Sequence, residues 1–120
     1  EGLSWEGADW PEGLVPEVDA CDVEGNDFDA CDASLARRIS LALGPAERGV
    51  DELGVAFDEG QIVQFYATEG IFEDEVRAAP STSTRWVARR ASKNRVVTFW
   101  FVARDDRGGV GWVRRQVRVF

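Results

Sequence analysis

Runs of two-residue periodicity and a terminal hairpin predict an all-β domain, an antiparallel β-sandwich headed by an irregular segment that carries the chain's two cysteines. Apolar and polar residues alternate at 35–43, 62–68, 85–89, 96–104 and 110–120. Because successive side chains of a strand point to opposite faces, that alternation suits strands buried on one side only. A chain of 120 residues has the size of one compact domain and can bury roughly two-thirds of the surface its unfolded form exposes. One hydrophobic core is expected.

The head, residues 1–34, reads as irregular. Gly2, Gly7, Pro11, Gly13, Pro16 and Gly25 recur too often for a helix or a long strand. Trp5 and Trp10 within it nonetheless call for docking, since each ring buries a large apolar area. Cys21 and Cys31 lie ten residues apart. In an oxidising compartment they should pair, and closing so short a loop stabilises a fold by ~2–3 kcal/mol on the chain-entropy model.

Residues 35–120 form the sandwich proper. Leu35, Ile39, Leu41 and Leu43 share one parity up to the Gly44-Pro45 break. In the next run Val63, Phe65 and Ala67 share one face and Ile62, Gln64 and Tyr66 the other. Arg85-Trp86-Val87-Ala88-Arg89 is a short third strand. The last two runs flank Asp105-Asp106-Arg107-Gly108-Gly109 as a hairpin. Pairing its arms about that turn sets Phe101 against Val113, Val97 against Val117 and Trp100 against Arg114. The odd-numbered face is then the core. The even-numbered face, with Val96, Trp100, Val102, Val110 and Trp112, is too apolar to be left to water. Its expected cover is the Trp-bearing head or, failing that, a neighbouring molecule. Arg114 is also placed to stack on Trp100 as a cation–π pair.

The order of these motifs resembles the PKD-like and cadherin-like immunoglobulin modules repeated in bacterial surface proteins. The matching residues are Phe65, Ala67, Gly70 and Phe72, then Trp86-Val87-Ala88, then the hairpin with its Arg104-Asp105-Asp106-Arg107-Gly108-Gly109 turn. The resemblance covers about residues 35–120. It implies an immunoglobulin-like, Greek-key sandwich and a bacterial origin, and it carries over no active site, since such modules act as spacers, adhesion units or binders of carbohydrate and protein.

Charge is distributed unevenly along the chain. Residues 1–32 hold eleven acids and no base, residues 33–76 nine acids and three arginines, and residues 77–120 ten arginines, one lysine and two acids, a net −11, −6 and +9 that sum to −8. The near cancellation of the two ends predicts that the acidic head neutralises the basic tail within one molecule. A net acidic chain argues against nucleic acid as the partner, because phosphate binding needs a clustered basic face. The basic set Arg85, Arg89, Arg90, Lys93, Arg95, Arg114, Arg115 and Arg118 could alternatively take an acidic polysaccharide, against the competing reading of a solvated strand face or the inner partner of an acidic segment. No apolar run approaches the ~20 residues of a membrane-spanning helix. The chain opens on Glu1 and contains no Met, as expected of a processed end or a boundary within a longer protein.

No catalytic site can be assembled. Histidine is absent, no serine has an evident base, and no glycine-rich phosphate loop precedes a helix. Zinc is excluded by the same lack of ligands. The metal candidate is calcium, which takes six to eight hard oxygens. Asp19, Asp22, Asp27, Asp29 and Asp32, with Glu24, crowd the presumed disulfide, although their spacing departs from the usual helix–loop–helix pattern and a solvated acidic loop is the competing reading. No other cofactor is implied.

These observations predict a non-catalytic structural or protein-binding module, secreted or at the cell surface, whose binding surface includes Trp100, Trp112 and Arg114. The alternatives are a self-assembling subunit of an extracellular fibre or layer, in which the acidic head docks on a neighbouring copy, and a carbohydrate-binding module that stacks sugars on Trp100, Trp112 and Tyr66.

Overall fold

The computed structural model describes residues 2–22, 28–43, 48–50, 56–58, 60–79, 81–105 and 109–120. Asp27, Glu24, the Gly44-Pro45 break and the apex of the last turn (106–108) lie outside them. Thirteen strands are described: β1 (Gly2–Trp5), β2 (Ala8–Asp9), β3 (Glu17–Val18), β4 (Ala20–Cys21), β5 (Arg37–Ala42), β6 (Arg48–Val50), β7 (Ala56–Asp58), β8 (Gln61–Ala67), β9 (Ile71–Phe72), β10 (Val76–Ala78), β11 (Ser83–Arg89), β12 (Val96–Asp105) and β13 (Val110–Val119). Three short 3-10 turns complete the described elements.

Two sheets pack as a sandwich. One has the order β2-β1-β5-β11-β4, with β9 added to β11; the other runs β10-β8-β12-β13-β3, and β6 and β7 form a separate hairpin. The expected strands are present, and the terminal hairpin has the register its turn dictates: Phe101 opposite Val113, Val97 opposite Val117 and Trp100 opposite Arg114. The odd-numbered face of β12 is the core, with Val97, Phe99 and Phe101 all inaccessible to solvent. Opposing them from the other sheet are Leu3, Ile39, Leu41 and Trp86.

The head differs from expectation. It is not irregular throughout but supplies four short strands to both sheets. β1 pairs antiparallel with β5, β3 runs parallel to β13 and β4 parallel to β11. The β1–β2 link, Glu6-Gly7, has positive φ at both residues, the backbone of a two-residue hairpin turn. Nor do the described residues of the head cover the even-numbered face of the terminal hairpin, where Val96, Val110 and Trp112 stay exposed. Trp10 is instead buried between the sheets, 1% exposed, with its ring edge-on to Trp5, Phe99 and Phe101 at 4.9, 5.8 and 5.9 Å. Its indole N–H donates to the Leu14 carbonyl at 3.0 Å, satisfying the one polar atom that burial would otherwise strand.

Charge pairing between the ends of the chain is local. Asp22 of the head meets Arg90 and Lys93 at 3.9 and 3.4 Å, while Glu6 accepts from the Arg38 backbone N–H.

Candidate functional site

Strand alternation sorts the five-stranded sheet into two faces. The inner one is core. The outer one carries, in cross-strand rows, Tyr66–Trp100–Arg114 and Gln64–Val102–Trp112, with Val76 beside Gln64 and Ile62–Arg104–Val110 in the next row. Trp112 is 65% exposed and Tyr66 47%, whereas Trp100 and Val102 are half-buried. Arg104 Nε donates to Gln64 Oε1 at 3.0 Å, and Gln116 Nε2 to Thr98 Oγ1 at 3.3 Å. The surface therefore combines aromatic area with guanidinium and amide donors, the ingredients of stacking and of directed hydrogen bonding.

The structure thus brings Trp100, Trp112 and Arg114 onto one exposed face, and adds Tyr66 to them. Arg114 stands opposite Trp100, but the cation–π contact among the described residues is elsewhere, with the Arg85 guanidinium 5.2 Å above the Phe28 ring. Beside this face, Glu12–Val15 and residues 112–116 border a groove of about 520 Å³. Leu14 and Val15 are exposed on its far wall, and Arg115 Nε ties the two walls by donating to the Trp10 carbonyl at 3.0 Å.

Cys21 and Cys31 form the disulfide, with Cα atoms 5.8 Å apart. The described acidic residues around it have separate settings. Asp19 is exposed on the link between β3 and β4, Asp22 faces Arg90 and Lys93, and Asp32 Oδ1 accepts the Ser34 backbone N–H at 2.9 Å to cap the turn Ala33–Leu35. That hydrogen bond holds the Asp32 carboxyl below the ordinary aspartate range. Asp29 acts electrostatically on Arg85. Among the described residues no three acidic or cysteine side chains converge as a metal site.

One surface ion pair perturbs titration. Arg85 grips Glu73 with two parallel bonds, Nε to Oε1 at 3.1 Å and Nη2 to Oε2 at 2.5 Å. The hydrogen bonds hold the Glu73 carboxyl below the ordinary glutamate value against a small opposing effect of burial. The folded protein thus binds that proton more weakly than the unfolded chain. The pair's stabilisation is complete above the ordinary glutamate range and is lost as pH falls below about 4. Glu73→Gln should therefore flatten the fall of the melting temperature between neutral and acid pH, only slightly for so exposed a pair. Melting curves of parent and variant across that range check this.

Comparison with known proteins gives no relative: no family model, curated protein or solved structure matches the chain.

The outer face was legible from the parity of the terminal hairpin. The groove was not, because it depends on where residues 12–15 run, and a Gly/Pro-rich segment carries no register.

Proposed function

We propose that the chain is a non-catalytic binding module of a secreted or surface protein, built on an immunoglobulin-like sandwich and engaging a protein partner through the outer face of its five-stranded sheet. The observation that carries this reading is the aromatic and basic cluster of that face. Tyr66, Trp100, Trp112, Arg104 and Arg114 adjoin across three strands, and Tyr66 and Trp112 remain open to solvent. Aromatic residues and arginine supply most of the energy of protein interfaces. The Cys21–Cys31 disulfide supports a site of action outside the reducing cytosol, and the absence of histidine from the sequence supports a role without acid–base chemistry.

The Tyr66→Ala/Trp112→Ala double variant tests it. Stability should change by less than about 0.5 kcal/mol per site, as expected of exposed positions. Capture of a partner from extracellular extracts of the source should weaken by a factor corresponding to about 2 kcal/mol or more. A partner held equally well by parent and variant would sink the proposal. A second reading is favoured by Gln64 and Arg104, which place amide and guanidinium donors beside the rings as a sugar-stacking site requires. A glycan-array signal lost in the same variant would move the ligand class to carbohydrate.

A further inference from the structure

Among the described residues, β13 is paired along its length on one side only. Its contacts with β12 run without a bulge from Val110 to Arg118, while on its other side β3 reaches only Arg118 and Val119. The direction of the free groups follows from alternation. The backbone N–H groups of Arg118 and Phe120 donate away from β12, to the Pro16 and Val18 carbonyls at 2.9 Å each. In an extended strand the N–H groups of Trp112, Arg114 and Gln116 must point the same way. None of those three amides meets an acceptor among the described residues. On the same edge the Arg114 carbonyl accepts one bond, from Arg115 Nη1 at 2.8 Å, which leaves its second lone pair open. Beyond this edge lies the groove walled by Leu14 and Val15.

An open ladder beside a groove of mixed apolar and charged lining is an arrangement to which an extended peptide adds as a further strand, with main-chain bonds giving affinity and the flanking side chains giving selectivity. We infer that the free edge of β13, over residues 110–116, captures an extended acidic peptide of a partner protein by strand addition. This deepens the binding-module reading and rests on it.

Charge selects the occupant. Arg114 and Arg115 line this edge, with Glu12 the one acid on the groove, so a residue of the added strand that faces Arg114 across the ladder should be Asp or Glu. Two positions away, on the same outer face, it meets Trp112 and should be apolar. The residue between these two turns inward, toward Leu14 and Val15, and should be apolar as well. A second copy of this chain is the poorer occupant, because the same edge would bring the guanidinium groups of Arg114 and Arg115 against their duplicates, and like charges across a ladder repel.

The experiment is selection from a displayed library of random linear peptides about ten residues long against the 120-residue chain, followed by amide-exchange measurements with the selected peptide. Enriched peptides should carry an acid two positions from an apolar residue. Their binding should slow exchange at the Trp112, Arg114 and Gln116 amides and fall about tenfold or more in Arg114→Glu. Gln116→Pro should weaken binding similarly. Its amide faces away from β12, so proline there removes an edge donor and leaves the internal ladder intact. The exchange pattern in the unsubstituted protein tests the same point without any variant. Failure to enrich such peptides overturns the inference. Peptides that bind without slowing those three amides, and that are lost on Tyr66→Ala, overturn strand addition while leaving the outer-face reading in place. Slowed exchange that rises with protein concentration in the absence of peptide overturns the choice of occupant in favour of a second copy.

Discussion

Replacing Trp10 by alanine should cost about 3–5 kcal/mol, the range for emptying a buried tryptophan site, against a total stability of about 5–15 kcal/mol for a domain. Trp10 belongs to neither sheet's pattern, yet it sits between them, touching Trp5 from one and Phe99 and Phe101 from the other. Those neighbours are held by strand pairing on both sides and cannot collapse into the space, so the cavity persists and its cost adds to the lost transfer energy. The Leu14 carbonyl also loses the indole donor. Trp10→Phe separates the two contributions, because it keeps much of the ring but not the N–H. It should fall between parent and alanine, with about 1–3 kcal/mol assignable to the unpaired carbonyl and the smaller ring. Urea midpoints at unchanged m-value measure both variants. Deleting residues 1–21 should do worse than either. It removes β3 and β4 from the sheet edges and takes Leu3, Val18 and Cys21 from the buried set. A truncated chain that folds as stably as the parent would contradict this account of the core.

The contrast between the two ends of the chain shows what the sequence can reveal. β12 and β13 are ten residues each. Over that length alternation fixes which face is buried, and a slip of one residue would expose Val97, Phe99 and Phe101 together. Their register could therefore be read from the turn alone. The head offers no such lever. Its strands are two to four residues long, too short for a period to show, and their partners are as distant in sequence as β5 and β13. The two tryptophans declared that the segment docks, but not on which side. The same reasoning governs the binding surface. Trp100, Trp112 and Arg114 follow from parity within one hairpin, whereas the free edge of β13 is defined by what fails to pair with it, a property of the whole topology. Among the described acidic residues near the disulfide, Asp22 turns to Arg90 and Lys93 and Asp32 to its own turn, partners that nearness in sequence does not reveal.

Gly70→Ala should be the other severe substitution, costing about 2–6 kcal/mol from two separable causes. The backbone there has φ +92, a region that side chains other than glycine enter only under strain of about 1–3 kcal/mol. In addition, an added Cβ would lie 2.3–2.4 Å from Nε1, Cε2 and Cζ2 of Trp86. The indole cannot swing away. It is fully buried, packs edge-on to Phe99 at 4.8 Å and donates its N–H to the Glu69 carbonyl at 3.2 Å. Overpacking against a fixed ring adds about 1–3 kcal/mol. The two causes part company in a double-mutant cycle. With Trp86 replaced by leucine the obstructing ring is gone, so Gly70→Ala in that background should retain only the backbone strain, and the coupling energy should equal the steric share. If the alanine costs the same in both backgrounds, the conformation of residue 70 alone decides why glycine stands there; if it costs nothing in either, the close approach of turn and indole is not as described.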